Sequence, residues 1–319
     1  MPSPVNKRPH PSVLVSLTAL MVACWSLNFI VGKVALRHFA PLTLASFRVV
    51  LAALIMLAVY GLSRLAAGPR ARGFHRHDFW TFGYLGVLSV AVNQVCFTIG
   101  LNYTTVGHSA LIIGTGPIVI LLLARLLGLE AMTAKKLLGM VAAFVGVTVL
   151  AVEHGLSLRS GTLRGDLITF TGSVAFALYT VLGKKVAAEY DSVSMNAFNY
   201  LAGAVVILPV AIHQALGLSR SGGWGQVTWQ GWAALGFMAA FASVLAYLIY
   251  FWVLRYMTAS RLGALSYLHP VLTTATGIVL LGERLTPHLL LGGGLVLLGV
   301  YLLESGPREN KLEDKYAID

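Results

Sequence analysis

Ten polar or aromatic side chains interrupt the long apolar runs of this 319-residue chain: Asn28, Arg48, Asn93, Gln94, His108, Tyr179, Tyr247, Tyr250, Tyr267 and His269. Their amide, guanidinium, imidazole and phenol groups are the donors and acceptors that orient a ligand in a largely apolar pocket. We therefore take these residues as candidates for a substrate path. For each of them, a structural hydrogen bond inside a helix bundle is the alternative interpretation.

Arg48 is the most costly of these residues to surround with apolar groups. It lies seven residues into an apolar run that starts at Pro41, or about 10 Å along a helix. A bare charge at such a depth in a membrane costs at least about 2.5–3.5 kcal/mol. Asn28 lies at a comparable depth and is the candidate partner. Arg48 is either a structural clamp, or a clamp that also meets an anionic group of a substrate.

The acidic residues are placed unfavourably for moving protons. All twelve Asp and Glu residues fall at the ends of apolar runs, in the segments between them or in the tail. This placement argues against a carboxylate relay. His269, inside an apolar run, and His108, at the start of one, are then the remaining titratable candidates for proton coupling.

The chain shows no pattern that predicts a cofactor, a metal site or a catalytic nucleophile. Its two cysteines, Cys24 and Cys96, lie far apart in apolar runs, where a thiol behaves as a small hydrophobic group. The net charge of +11 would suggest a nucleic-acid partner in a soluble protein. Most of the basic residues, however, lie in short segments between apolar runs, so we expect no nucleic-acid partner.

The elements that must position these side chains are membrane-spanning helices. The chain is 57% hydrophobic and 11% charged, against roughly 45–50% and 25% in soluble domains. Its apolar runs approach the roughly 20 residues needed to cross a bilayer as a helix. We predict an all-α integral membrane protein with spans at 12–35, 41–60, 79–100, 108–127, 136–152, 166–183, 194–213, 231–253, 261–281 and 288–303.

The basic residues predict the orientation of these spans. With a cytoplasmic N-terminus, 16 of the 23 Lys and Arg residues fall in inner segments and 6 in outer segments. This bias follows the positive-inside rule. It predicts a multi-pass protein of the bacterial inner (plasma) membrane with both termini in the cytoplasm.

Cysteine accessibility in intact cells tests this orientation. Residues 61–78 and the tail from Arg308 should be cytoplasmic, and 153–165 and 214–228 should be external. A cysteine at position 70 should therefore resist an impermeant reagent, whereas one within 214–228 should react. Labelling of position 70 from outside would refute the orientation.

The second half of the chain repeats the first. Eight residues, from Leu101 to Leu150, recur at a constant offset of 153 as Leu254 to Leu303, and the Pro117/Pro270 and Glu130/Glu283 pairs are among them. Because each half holds five spans, the second half must be inverted relative to the first. We expect repeats at 1–152 and 153–319 with a substrate site near the membrane midplane. Pro117 and Pro270 interrupt equivalent spans, either as hinges or as static kinks.

Charged residues also lie near the ends of the predicted spans. Glu130 and Glu283 are expected to bind exposed backbone or a neighbouring cation. Lys33 and Lys184 are expected to reach the membrane interface with their long side chains.

In order and in duplicate, the landmarks resemble the EamA family of the drug/metabolite transporter superfamily. They include Trp25, Asn28, Phe29 and Lys33, then Pro41 and Arg48, and then the segment from Gly100 to Gly107. Later landmarks are Pro117, Glu130, Thr133 and Gly139, with Tyr256, Ala259, Pro270, Gly282 to Thr286 and Gly292 in the second half. The resemblance covers nearly the entire chain. It implies a ten-helix fold in which spans three, four, eight and nine surround a central cavity.

The function expected from these observations is secondary transport of small metabolites such as amino acids or amphipathic and aromatic compounds. The resemblance favours an exporter that works by alternating access, and an importer is the alternative. A membrane-embedded enzyme is a further alternative, although the clustered acids or histidines that it would need are missing from the spans. The expected partners are a small-molecule substrate and the lipid bilayer.

Overall fold

A computed structural model describes residues 9–67, 78–153, 163–269, 271–272 and 287–304, and the regular elements in these ranges are all helical. Seven helices, α1–α4 and α6–α8, are long and apolar enough to cross a membrane. The helices are α1 (Pro11–Ala35), α2 (Pro41–Ala67), α3 (Phe79–Tyr103), α4 (Val106–Gly114 and Gly116–Leu126), α5 (Ala134–Glu153), α6 (Leu163–Glu189), α7 (Ser192–Ser221), α8 (Trp229–Leu254), α9 (Ala259–Ala264, continued by a 3₁₀ turn Leu265–Tyr267) and α10 (Pro287–Glu304).

Local sequence explains where several helices begin and end. Proline is the first residue of α1, α2 and α10, a position where its missing N–H is not needed. The Asp191 carboxylate caps α7 by accepting from two backbone amides of the first turn. Gly222 ends α7 with φ of +66°. This helix runs eight residues beyond the predicted end at 213, and the predicted ninth span continues beyond the described residues.

Two lysines join α1 to α3 and α6 to α8 at equivalent positions of the repeat. Lys33 Nζ donates to the carbonyls of Leu101 (2.5 Å) and Thr104 (2.7 Å) at the end of α3. Lys184 Nζ donates to the carbonyl of Leu254, the last residue of α8, and to the carbonyl of Met257 in the turn that follows. A cation at a helix C-terminus satisfies carbonyls that lack an intrahelical partner and interacts favourably with the helix dipole. The two lysines are therefore internal clamps that tie helices together.

Removal of the Lys33 clamp should destabilise the fold. Because hydrogen bonds to charged groups contribute about 1.5–3 kcal/mol, we expect Lys33→Met to lower the unfolding temperature in detergent by several degrees. Arg37→Gln is the matched control, since Arg37 is exposed in the turn after α1. Equal unfolding temperatures for Lys33→Met and the wild type would contradict the clamp.

Irregular turns interrupt three of the long helices near their middle. Val87–Gln94 in α3 and Met238–Leu245 in α8 form π-helical segments at equivalent positions of the repeat. In α4 the helix breaks at Thr115, and Pro117 lies in the first turn of the second segment. The Thr115 hydroxyl donates to the Ile112 carbonyl at 2.6 Å across this break. The broken α4 agrees with the effect expected of Pro117, whereas Pro270 lies outside the described residues.

Helices α5 and α10 approach each other through repeat-related glycines. A Cβ atom at Gly139 would lie 2.8 Å from the Gly299 carbonyl oxygen, and one at Gly299 would lie 2.4 Å from the Gly139 carbonyl oxygen. Seven residues further along α5, a Cβ atom at Gly146 would lie 2.5 Å from the Gly292 carbonyl oxygen. Small residues let helix backbones pack closely in membranes. This contact joins the last helix of one repeat to the last helix of the other.

Candidate functional site

A cavity lies in the middle of the bundle, between helices of both halves. The space between these helices is about 700 Å³, a figure that includes the open solvent at its mouth. Helices α1, α2, α3, α4, α6, α8 and α9 all contribute to it. The lining residues are Trp25, Asn28, Phe29, Arg48, Asn93, Gln94, Phe97, Ile113, Gly116, Pro117, Ile120, Ser173, Phe176, Tyr247, Ser266 and His269.

Aromatic side chains form much of the cavity wall. The Trp25 ring makes edge or tilted contacts with Phe176, Tyr247 and Tyr250, at centroid distances of 5.5–5.8 Å. Its indole N–H donates to the carbonyl of Ala242 at 3.0 Å. Ala242 lies in the π-helical segment of α8. The irregular segment therefore supplies an acceptor for Trp25. Trp25, Phe176 and Tyr247 line the cavity and offer flat apolar surfaces to a substrate, whereas Tyr250 packs behind them.

Arg48 belongs to a buried polar network that connects α2, α3, α7 and α8. Its Nε donates to the Ser243 hydroxyl (2.9 Å), which in turn donates to the Gln94 side-chain oxygen (2.9 Å). The Gln94 amide donates to the Tyr200 hydroxyl (2.7 Å), and that hydroxyl donates to the Ser243 carbonyl (2.9 Å). Arg48, Gln94, Tyr200 and Ser243 are each at most 3% exposed. Such networks hold their members in one geometry.

The expected pairing of Arg48 with Asn28 is wrong. The partner of Arg48 is Ser243, which the sequence offered no reason to choose. The Asn28 side-chain oxygen is buried and has no hydrogen-bond partner among the described residues, and neither has Nη1 of Arg48. The cavity lining thus holds one unused acceptor and one unused donor. A buried polar atom without a partner costs about 1–3 kcal/mol.

Asn93 and His269 line the same cavity but are held by neighbouring helices. Asn93 donates to the Gly172 carbonyl (3.0 Å) and accepts from the Tyr247 hydroxyl (2.9 Å). The Ser26 hydroxyl donates to the Val22 carbonyl (2.8 Å), so its oxygen accepts from Nδ1 of His269 at 3.1 Å. The tautomer with a proton on Nδ1 leaves Nε2 of His269 as the ring nitrogen that a ligand can approach.

Three predicted candidates are buried tyrosines outside the lining. The Tyr179 hydroxyl accepts from Asn199 at 3.1 Å, and the Tyr250 hydroxyl pairs with Thr180 at 2.7 Å. Tyr267 packs between α5 and α10, and its hydroxyl has no partner among the described residues. Tyr179 and Tyr250 pack against the lining residue Phe176. None of the three tyrosines is among the residues that line the cavity.

His108 lies at one end of the bundle, away from the cavity lining. Its Nδ1 is 3.2 Å from a carboxylate oxygen of Asp166, at the start of α6. The Thr104 hydroxyl donates to the other Asp166 oxygen at 2.5 Å. Asp166 therefore joins the end of α3 and the start of α4 to α6, and a carboxylate in a first turn also interacts favourably with the helix dipole.

Glu130 makes the corresponding connection at the opposite end. Its carboxylate accepts from the backbone N–H of Ser260 (3.1 Å) and from the Ser260 hydroxyl, and it pairs with Lys136 at 3.4 Å. The expectation that this glutamate binds backbone or a neighbouring cation is confirmed. Its repeat equivalent, Glu283, lies outside the described residues.

Sequence reasoning missed several aromatic residues of the lining as ligand contacts. Phe97 and Phe176 were not considered, and Trp25 and Phe29 were treated only as family landmarks. A signal for one pair was present, because Trp25 and Phe176 are separated by 151 residues, the offset that relates Gly32 to Gly183. Ser243 has no comparable signal.

The fold and the cavity together define a class of protein. Long apolar helices, irregular segments at mid-helix and a central cavity built from both halves are the features of membrane carriers for small molecules. Helices α1–α4 and α6–α8 make this a multi-pass membrane protein.

Comparison with known proteins identifies the family. The sequence model of the EamA-like transporter family matches residues 13–152 and 163–305. The chain therefore belongs to the EamA-like transporter family, and it is a small-molecule transporter. This assignment is to a family of transporters, so the enzyme alternative is not supported.

Relatives of similar length share this assignment. The uncharacterized transporter YyaM of Bacillus subtilis is 31% identical over 276 residues, which cover 86% of this chain and 87% of the relative. A probable amino-acid metabolite efflux pump of Salmonella typhimurium is 26% identical, with coverage of 90% and 93%. A solved crystal structure superposes with a TM-score of 0.70 at 18% identity, covering 92% of this chain and 96% of that one, and it supports the fold.

Proposed function

We propose that this protein is an exporter of small amphipathic or aromatic metabolites in the bacterial inner membrane. The observation that carries the proposal is the central cavity, in which aromatic rings and a few polar groups from both halves surround one space. Such a lining fits a molecule with an apolar body and a small polar head group. Both termini lie in the cytoplasm in this proposal.

Alternating access supplies the transport cycle. The halves at 1–152 and 153–319 would rock about the cavity, and the break at Thr115 and Pro117 and the two π-helical segments offer places where helices bend. π-Helical segments often occur at functional sites. Because the halves meet through side-chain contacts at both ends of the bundle, exchange between two arrangements requires these contacts to form and break in turn.

The name of one relative favours export over import. The relative from Salmonella typhimurium is named as an efflux pump, and it aligns over 90% of this chain. Import through the same cavity is the second candidate. The direction follows from expression in intact cells, where an exporter should lower the intracellular level of its substrate and an importer should raise it.

The direct test is transport by the purified protein in liposomes. A labelled panel of amino acids and aromatic or aliphatic metabolites should contain compounds whose exchange depends on the protein. Trp25→Ala should reduce this exchange, because the indole lines the cavity and packs against the lining rings of Phe176 and Tyr247. No protein-dependent exchange for any panel member, with folded protein in the vesicles, would count against the proposal.

Proton coupling is expected to be absent. Among the described residues, the sixteen that line the cavity include no Asp or Glu, so none of these sixteen supplies a carboxylate that could carry a proton. Collapsing the pH gradient at fixed internal pH should leave initial rates nearly unchanged. If transport is instead coupled through histidine, gradient-driven accumulation should disappear in His269→Asn or His108→Asn while passive exchange survives. Gradient-driven accumulation that is retained when both histidines are replaced would disprove both the uncoupled carrier and coupling through histidine.

A further inference from the structure

Two buried side chains of the cavity lining have hydrogen-bonding groups that the described part of the protein leaves unused. They are Nη1 of Arg48, a donor on a cation, and the side-chain oxygen of Asn28, an acceptor. Arg48 is 3% exposed and Asn28 is 5% exposed. Buried polar groups in native proteins are almost always satisfied. Because both residues line the cavity, its ligand is in a position to satisfy them.

We propose that the cavity binds an amphipathic organic acid, with its carboxylate on Arg48 and a hydrogen-bond donor of the same molecule on Asn28. The inference rests on the proposed function, because it names the substrate class of that cavity. The donor is a hydroxyl or amine group carried by the ligand in addition to the carboxylate. The apolar body lies against the rings of Trp25, Phe29, Phe97 and Phe176.

The charges of the lining select an anion. Arg48 is the single Lys or Arg among the sixteen lining residues, and no Asp or Glu is among them. A carboxylate neutralises this cation, whereas a ligand whose charges are all positive meets no opposite charge among the described lining residues. A doubly charged head group leaves one charge unpaired, and an unpaired charge is costly in an apolar site.

The polar network presents Arg48 for this contact. Its Nε is engaged by Ser243, and the Phe97 ring lies 5.9 Å from the guanidinium carbon. Ser243 is itself held by Gln94 and is fully buried. Nη1 of the guanidinium, which has no partner among the described residues, is thereby left for a carboxylate oxygen in a charge-assisted hydrogen bond.

The test compares related probes on the full-length protein in nanodiscs, with binding measured by calorimetry. The probes are 3-phenyllactate and L-phenylalanine, which carry a carboxylate and a donor, 3-phenylpropionate, which lacks the donor, and phenylalaninamide, which lacks the carboxylate. We expect at least tenfold weaker binding of phenylalaninamide than of L-phenylalanine. We also expect 3-phenylpropionate to bind several-fold more weakly than 3-phenyllactate.

Variants assign these preferences to residues. Arg48→Gln should remove the preference for the acid over the amide, and Arg48→Lys should retain part of it. Asn28→Leu should remove the preference for 3-phenyllactate over 3-phenylpropionate. Arg37→Gln, which replaces an exposed arginine outside the cavity, is the matched control and should bind as the wild type does.

Two outcomes separate this inference from the proposed function. Binding of the amide as tight as that of the acid, or failure of every carboxylate probe to bind the wild-type protein, overturns the inference even if other compounds are exported. Selective carboxylate binding without transport in liposomes supports the inference and contradicts the transport proposal. Because the comparison of acid with amide uses wild-type protein, it holds even if the Arg48 variants fail to fold.

Discussion

Arg48→Leu is expected to insert and fold while reducing transport at least tenfold. The substitution removes the one Lys or Arg side chain that lines the cavity among the described residues, and with it one link between α2 and α8. The remaining network stays closed, since the Ser243 hydroxyl still donates to Gln94 and Tyr200 still donates to the Ser243 carbonyl. Burial of an unpaired charge also costs free energy, so leucine at this position need not destabilise the fold.

Transport in liposomes and unfolding temperature in detergent, measured on the same samples, check this expectation. Gln94→Leu is the contrasting variant, because it leaves the Ser243 hydroxyl without an acceptor and Tyr200 without a donor. We expect Gln94→Leu to lower the unfolding temperature and Arg48→Leu to leave it near that of the wild type. Wild-type transport rates in Arg48→Leu would remove any functional role for the residue.

Gly299→Ala should lower the stability of the protein. The added methyl group would lie 2.4 Å from the Gly139 carbonyl oxygen and 2.5 Å from the Ala143 backbone nitrogen. Because both atoms belong to the backbone, α5 and α10 must separate to admit it. Overpacking of this kind costs about 1–3 kcal/mol, and at about 2–4 °C for each kcal/mol the unfolding temperature should fall by several degrees.

Gly294→Ala is the matched control on the same helix. A Cβ atom at Gly294 meets no atom within 4 Å among the described residues, and alanine is favoured over glycine in a helix by about 0.5–1 kcal/mol. It should therefore match or exceed the stability of the wild type. Gly139→Ala combined with Gly299→Ala should cost less than the two single changes together, because both act on one contact. Equal stability of Gly294→Ala and Gly299→Ala would show that the contact is not tight.

The approximate positions of the helices and the family could be derived from the amino-acid sequence. Runs of apolar residues located the helices, because a helix that crosses a bilayer needs about 20 of them, and prolines at positions 11, 41 and 287 mark helix starts. The constant offset of 153 indicated the repeat. Short-range patterns of this kind depend on neighbours along the chain and can be read without a structure.

The contacts at the helix ends were only partly predictable. Glu130 was expected to bind backbone or a cation and does so through Ser260 and Lys136. Lys33 and Lys184 were expected to reach the membrane interface, and the structure instead places their amines on carbonyls of α3 and of the turn after α8. The sequence shows that a cation lies near a helix end, but the neighbouring helix that accepts its hydrogen bonds depends on packing.

The amino-acid sequence alone is sufficient to recognise a helical membrane transporter with polar residues in its spans. The folded structure is needed to show that Arg48 binds Ser243, 195 residues away, and that the Asn28 side-chain oxygen has no hydrogen-bond partner among the described residues. It also decided that Tyr179, Tyr250 and Tyr267 lie outside the cavity lining. The physical reason is that these helices are apolar on most of their faces, so hydrophobic periodicity does not tell which face points inward. That choice follows from close approaches between helices, such as Gly139 against Gly299, which depend on residues far apart in the chain.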